Sequence, residues 1–525
     1  MKNLACLATC LMLTFMANNA SPTTYVDGEC GNDSWTGTGW MCHAPSGPKR
    51  TIQAAIDAAV SGDLIVVYPA VYFENIKIAG KHLTITSKNP DDAAIVDSTV
   101  IDGGGADRVV IITQADTTIL GLTIRNGNAK SSTPVGGGVL CNKSKATFVK
   151  SVIAGNHADG AGGGIFAWES ILAMEHCTIM RNTVAASPFG SGGGLSGGAP
   201  GSSLVECTFE KNEIVMGDGG AISGFAGLID KCRIVDNHIT FEAVVGGGGL
   251  AACSGPILNS TISHNTVEFG HGGGMFNCSG PIVACTITDN IAFSGIGDVI
   301  PVVGGGLAQC TGPIINCIVS RNTAHNTDDA RSESQGGGLA NCTGLLINCT
   351  IADNIAVVNT FGSSGGGLWN CTGPISNCII WDNAALNDAQ LSASAIPTFG
   401  CIRDWPGGGT GNISTDPSFA VVGADYRLRA GSPCIDAGNN NAVPAPITTD
   451  LAGKPRFLDD PLTPDTGQGT PPVVDMGAYE FFAYCGDPEH PYPPMDFNQD
   501  CVVNVADLAM FAEHWLTCTK PECNL

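Results

Sequence analysis

The chain has 525 residues, 43% hydrophobic and only 14% charged, with 70 glycines and a formal net charge of −24. The length exceeds one ordinary domain but suits a repeat fold, and the glycines lack the three-residue period of collagen. With only 24 Lys+Arg, nucleic acid and anionic membrane surfaces are poor partners, since both need clustered cations; an extracellular protein fits better.

In chain order, the first segment is MKNLACLATCLMLTFMANNA (1–20). Lys2 supplies a minimal positive region, Leu4–Met16 an apolar stretch, and small and polar residues follow. It reads as a secretory signal peptide cleaved near Ala20. Asn18 stands where a small residue is usual, and Thr9 disfavours lipidation at Cys10. No later run is long and apolar enough for a membrane span. Loss of this leader removes Cys6 and Cys10 and leaves an odd number of cysteines in an oxidising compartment. Residues 21–120 read as an N-terminal cap and first coils. Within them Ile52, Ala55, Ile56 and Ala59 form the stripe of an amphipathic helix that Gly62 ends.

From 121 to 390 the chain repeats itself. Asparagine follows cysteine by five residues at Cys177/Asn182, Cys207/Asn212, Cys232/Asn237, Cys285/Asn290, Cys317/Asn322, Cys349/Asn354 and Cys378/Asn383. Serine takes the cysteine slot at Ser151/Asn156 and Ser260/Asn265. Each unit also carries a glycine run, such as Gly272–Gly274, Gly304–Gly306 or Gly336–Gly338. A fixed core with variable insertions marks a solenoid. The alternation in INCTIAD (347–353) puts Cys349 and Ile351 on one face of a strand. Each unit has room for two or three short strands. Stacking pairs every strand with its copy in the next coil and removes sheet edges except at the two ends. Cys and Ile are expected inside, and Asn at a turn, where it tolerates φ > 0.

These repeats resemble the right-handed parallel β-helix (pectin-lyase-like) superfamily. FEKNEIVMGDGGAI (209–222) is similar to the FxxN and GGA[ILV] repeats of polymorphic outer-membrane proteins. The resemblance implies an all-β, right-handed parallel β-helix solenoid with an N-terminal capping helix; the superfamily includes lyases, hydrolases, adhesins and structural proteins, so it implies no single function. Residues 391–484 contain GSPCIDAGN, DLAGKPR and VDMGAYEF. They resemble the closing segment of secreted bacterial β-helix proteins with anchoring tails, which implies a cover over the last coil.

The tail, 485–525, carries DFNQDCVVNVAD. Asp496, Asn498, Asp500, Asn504 and Asp507 stand at loop positions 1, 3, 5, 9 and 12, with the Val502 carbonyl at 7. Oxygen ligands at that spacing can surround Ca²⁺. With the helix LAMFAEHWL after it, the loop resembles a dockerin repeat, which implies Ca²⁺ as cofactor and a cohesin-like or other surface protein as partner. It departs from that family in having Cys501 at position 6 and a single copy. Cys485, Cys501, Cys518 and Cys523 could staple so short a segment.

Catalytic signals are weak. GHG (270–272) and NTDD (326–329) echo polygalacturonase-type hydrolases but occur in reversed order, and His271 lies in a glycine run that every unit has. Among basic residues of the coils, Arg181 and Arg321 each precede a ladder Asn and share an outward turn. The largest interruptions of the repeat are 293–303 and 324–335. The second is the more charged, with Asp328, Asp329, Arg331 and Glu333 against Asp298 alone in the first, so it is where an active site is sought. Cysteines seven apart, such as Cys278/Cys285 and Cys310/Cys317, track the coil rather than a zinc site. They read as small buried hydrophobes. Cys30/Cys42 and Cys401/Cys434, outside the repeats, are the disulfide candidates. Trp369, Trp381 and Trp405 could stack on sugars or pack under insertions.

The resulting expectation is a secreted or cell-surface β-helix protein of bacterial type. It binds polysaccharide or a cell-surface glycan without catalysis and is attached through its calcium-binding tail. The alternatives are a pectate-lyase-like polysaccharide lyase or glycoside hydrolase, which needs converging carboxylates and a base, and a purely structural surface protein.

Overall fold

The computed structural model describes residues 22–130, 133–185, 190–240, 245–294, 301–327, 333–357, 362–482, 495–497, 503 and 505–514. Asp328, Asp329, Arg331, Asn498, Asp500, Val502 and Asn504 lie outside them, as does the segment 1–20.

The chain is a parallel β-helix. Its walls are four parallel sheets of 13, 13, 9 and 12 strands, here called sheets 1 to 4 in the order each coil visits them. One coil shows the plan. Ile282–Val283 lies in sheet 1, Thr286–Thr288 in sheet 2, Ile291–Ser294 in sheet 3 and Leu307–Ala308 in sheet 4. Register is kept from coil to coil, with Thr261↔Thr286↔Ile318 and Ile262↔Ile287↔Val319 in sheet 2. A coil thus holds four wall strands rather than the two or three expected, because its corners need only one residue each. Ala284, Asp289, Gly304 and Gln309 turn this coil, with φ of 53°, 57°, 69° and 55°. A single left-handed residue bends an extended chain sharply, so strands of two or three residues suffice between corners.

The inward positions agree with the sequence pattern. Cys285, Ile287, Cys317, Val319, Cys349, Ile351, Cys378 and Ile380 are fully buried in one continuous core. The asparagines differ from expectation. The left-handed residue is the one before each of them, as at Arg181, Lys211, Asp236 and Asp289. The Asn side chain itself turns inward and bonds to the next coil. Asn290 donates from its backbone N–H (3.0 Å) and from Nδ2 (2.9 Å) to Oδ1 of Asn322, and from Nδ2 to the Ile262 carbonyl (2.9 Å). Its own Oδ1 accepts the same pair from Asn265. The ladder runs from Asn156 to Asn383, where the side-chain Oε1 of Gln390 accepts from the last Asn amide (3.0 Å). The glycine run lies against it. A Cβ on Gly274 would meet Gly306 O at 2.9 Å and the Asn290 amide at 3.1 Å, so no side chain fits there.

The N-terminal helix, Ile52–Ala58, turns Ile52, Ala55 and Ile56 into the first coils. Thr51 caps it, and Glu74 accepts the N–H groups of Ile52 (2.8 Å) and Gln53 (2.9 Å).

Cys30 and Cys42 form a disulfide. Cys401 and Cys434, also expected to pair, are free buried thiols; the Cys401 thiol donates to the Thr415 carbonyl at 3.1 Å instead. The ladder cysteines are free as well. Burial pushes the Cys141 thiol up to about 12 and raises Cys285 and Cys349. All 15 described free thiols are buried out of reach of a reagent, so they are expected to resist alkylation in the native protein and react after denaturation. Counting labelled cysteines by mass, before and after guanidinium, checks this; rapid labelling of the native ladder would contradict it.

Residues 416–482 were expected over the end of the helix. Their contacts instead run along its flank. Asn316 Nδ2 donates to Thr449 O (2.7 Å), Asn348 Nδ2 to Asp475 O (3.3 Å), and Asn377 Nδ2 to Asn439 O (3.0 Å). Phe419, Tyr426, Leu428, Ile435 and Met476 form a second core against Ile318, Ala352 and Ile379 on the outer face of sheet 2.

Candidate functional site

The outer face of sheet 2 is covered at both ends and open between them. At one end the short helix Ala93–Ser98 lies on it, with Thr123 Oγ1 donating to Val96 O at 3.0 Å. At the other end stands the hairpin Phe419–Val421/Asp425–Leu428, where Arg321 donates to Gly423 O (3.1 Å) and Tyr426 to Asp353 Oδ2 (2.8 Å). The floor between them is the first outward position of each strand: Val152, Thr178, Thr208, Arg233, Thr261 and Thr286, in register. Six strands at about 4.8 Å spacing make a trough roughly 24 Å long. A pocket of about 240 Å³, lined by Asp91, Val96, Lys150, Val152, His176 and Thr178, closes its helix end.

Corner residues form the two rims. Before the sheet 2 strands stand Lys150, His176, Glu206 and Lys231; after them stand Arg181, Lys211, Asp236, His264 and Asp289. All have positive φ, which throws their side chains outward beside the floor. The first rim is internally paired: Lys150 with Asp91, His176 with Glu206 (3.2 Å), and Lys231 with Glu206 (3.3 Å). On the second rim Lys211 pairs with Glu210 (2.6 Å), and Arg321 grips both oxygens of Asp289 (2.9 and 2.8 Å). That pairing holds Asp289 below its usual range despite partial burial. Glu210 is likewise held low, by Lys211 first and then by Arg233 and Arg181. Among the described residues Arg181 and Arg233 have no ion-pair partner, and both are exposed. The trough therefore offers threonine hydroxyls along its length and two free guanidinium groups on either side of one anion. A guanidinium stays protonated and holds a carboxylate through two parallel N–H···O bonds.

Of the four residues in the charged interruption, only Glu333 is described. It lies beside sheet 3, the wall that follows sheet 2 in each coil, where its Oε2 accepts from Gln335 Nε2 (3.2 Å) and its carbonyl from Asn326 Nδ2 (2.8 Å). His271 is buried in a short strand against Phe276, consistent with its place in a glycine run. Trp369 packs on Ala308 and Ala340 of sheet 4, Trp381 packs on the flank core, and Trp405 lines a separate groove of about 410 Å³ with Arg403 and Asp404. The three tryptophans do not share one surface. In the tail, Asp496 and Asp507 are both buried, and the Phe497 N–H donates to Asp507 Oδ1 at 2.8 Å. The helix Val505–His514 follows.

The trough was missed in the sequence because its residues recur once per coil and look like ordinary strand threonines. The floor position reads Val152, Thr178, Thr208, Arg233, Thr261 and Thr286 where it is open and Ile318, Thr350 and Ile379 where the flank covers it, so residue type alone does not mark the open stretch.

No family model and no curated protein matches the chain. Among solved structures, a pectate lyase aligns with 88% of this chain and 97% of its own, at 14% identity and a TM-score of 0.36. A rhamnogalacturonan lyase aligns with 76% and 91%, at 12% identity and a TM-score of 0.30. Likeness at this level assigns no residue a role.

Proposed function

We propose that this protein is a secreted β-helix that holds an extended, carboxylate-bearing polysaccharide in the trough of sheet 2 without cleaving it. The observation that carries this reading is the pair of guanidinium groups without an ion-pair partner among the described residues, Arg181 on the rim and Arg233 in the floor, beside in-register threonines in a trough walled at both ends. Hydroxyls at four of the six floor positions, spread along the trough, fit a chain ligand better than a compact one. Charge-assisted bonds to arginine favour uronate over neutral sugars. The flanking segment then acts as the trough's end wall. The tail is the attachment, with Asp496, Asn498, Asp500, Val502, Asn504 and Asp507 as a calcium loop. Two buried carboxylates at its ends, Asp496 and Asp507, suit a hard cation with oxygen ligands.

Calorimetric titration with polygalacturonate and with a neutral galactan tests the reading. The acidic polymer should bind, and the binding should weaken as salt rises, since these charges are exposed. Equal binding of the neutral polymer would reject the role given to the arginines. A related expectation concerns Glu210, the anion between the two free arginines. Glu210→Gln removes a competitor for them and should tighten polygalacturonate binding several-fold; weaker binding would mean that Glu210 contacts the sugar itself.

A further inference from the structure

The flanking segment contains a second group of carboxylates, separate in sequence from the tail loop and outside the trough. Asp436, Asp459 and Asp465 each bring one oxygen to within 4.8 Å of the other two. Asp436 is fully buried, while Asp459 and Asp465 are exposed at the mouth of the group.

Asp436 is fixed from several sides. Its N–H donates to Asp475 Oδ1 (2.7 Å), and its carbonyl accepts from Thr466 N (2.9 Å) and Gly467 N (3.0 Å). Its Oδ2 accepts from Asp460 N at 3.3 Å. Asp475, which holds it, is placed in turn by the buried Arg456, whose Nη2 donates to the Asp475 carbonyl (3.0 Å) while its Nε faces Glu480 (3.1 Å). What remains is Asp436 Oδ1. It is buried and has no hydrogen-bond partner. A buried carboxylate oxygen without a donor is costly, and two more carboxylates beside it raise that cost. Among the described residues no Lys, Arg or His pairs with Asp436, Asp459 or Asp465. Asp460, the neighbouring carboxylate, is engaged within its own loop. It accepts from Thr463 Oγ1 (2.6 Å) and Leu462 N (3.3 Å), which leaves Asp459 and Asp465 turned toward Asp436.

We infer that Asp436, Asp459 and Asp465 form a binding site for a divalent cation, Ca²⁺ by ligand class, that ties the 459–466 loop to Asp436 within the flanking segment. Three carboxylates and no nitrogen or sulfur donor select a hard cation. The open mouth admits the cation and leaves room for the waters that complete a Ca²⁺ shell of six to eight oxygens. The bound cation supplies the charge that Asp436 Oδ1 lacks.

The test is calcium titration of the full chain by calorimetry, with the tail loop disabled separately. Asp507→Asn removes a tail ligand; Asp459→Asn with Asp465→Asn removes the two exposed ligands here, isosterically and at the surface, so the fold should survive. The D507N protein is expected to bind one Ca²⁺, and the D507N/D459N/D465N protein none. Ca²⁺ should also raise the thermal midpoint of D507N and leave that of the triple variant unmoved. No binding by D507N, or the same stoichiometry in both proteins, would overturn the inference. Failure of the tail alone would show as D507N matching the unsubstituted chain, and leaves the contrast with the triple variant intact.

Discussion

Replacing Asn290 with alanine is expected to lower the unfolding free energy by about 3–6 kcal/mol. The side chain sits in the middle of the ladder with no exposure. Its loss strands the backbone N–H of Asn265, one amide proton of the Asn265 side chain and the Ile262 carbonyl. Each buried unsatisfied group costs about 1–3 kcal/mol, and water cannot replace the amide in a core this closely packed. In a solenoid each coil is stabilised mainly by its neighbours, so a break at the centre weakens both sides. Asn383→Ala, at the ladder's end, strands the matching groups of Asn354 and Ile351 but should cost less, because this position is slightly exposed (5%) and water can reach it. Guanidinium unfolding followed by circular dichroism of both variants measures the difference. A loss below about 1 kcal/mol for N290A would mean that the ladder follows from the coil geometry rather than supporting it.

The second large effect concerns binding. Arg181→Ala and Arg233→Ala should each weaken polygalacturonate binding by roughly 10- to 100-fold, the equivalent of one charge-assisted hydrogen-bonded pair at about 1.5–3 kcal/mol. Both residues are exposed and pair with nothing else described, so stability should change little, within about 0.5 kcal/mol. Arg321→Ala is the contrast. Its guanidinium is engaged with Asp289 and Gly423, so its loss should loosen the flanking hairpin and leave the ligand contacts of the trough in place. Unchanged binding in R181A/R233A would move the ligand elsewhere, with the Trp405 groove the next surface to examine.

The parallel β-helix was legible in the sequence because its determinants are local and repeated. Cys285/Ile287 and Cys349/Ile351 alternate with period two, and each lies inside. The asparagine turn was legible only in outline. Its position was right, but the left-handed conformation falls on the residue before it, a position occupied by Arg181, Lys211, Asp236 or Asp289 with no shared chemistry to mark it. Function was less legible for the same reason. The trough joins residues one coil apart, about 25 to 32 positions in sequence, and becomes visible only once register is known. Asp436, Asp459 and Asp465 are brought together by the folding of the flanking segment, which obeys no repeat. Conversely, the charged interruption drew attention through composition, yet Glu333, its described member, stands beside sheet 3 and not among the residues of the trough.

The most direct test of the central claim is to incubate the intact protein with polygalacturonate, with calcium and with EDTA, and to record both bound polymer and released products. The account predicts retained binding with polymer length unchanged and no unsaturated ends. Shortened or unsaturated products that vanish in R181A/R233A would contradict it and make the trough an active site.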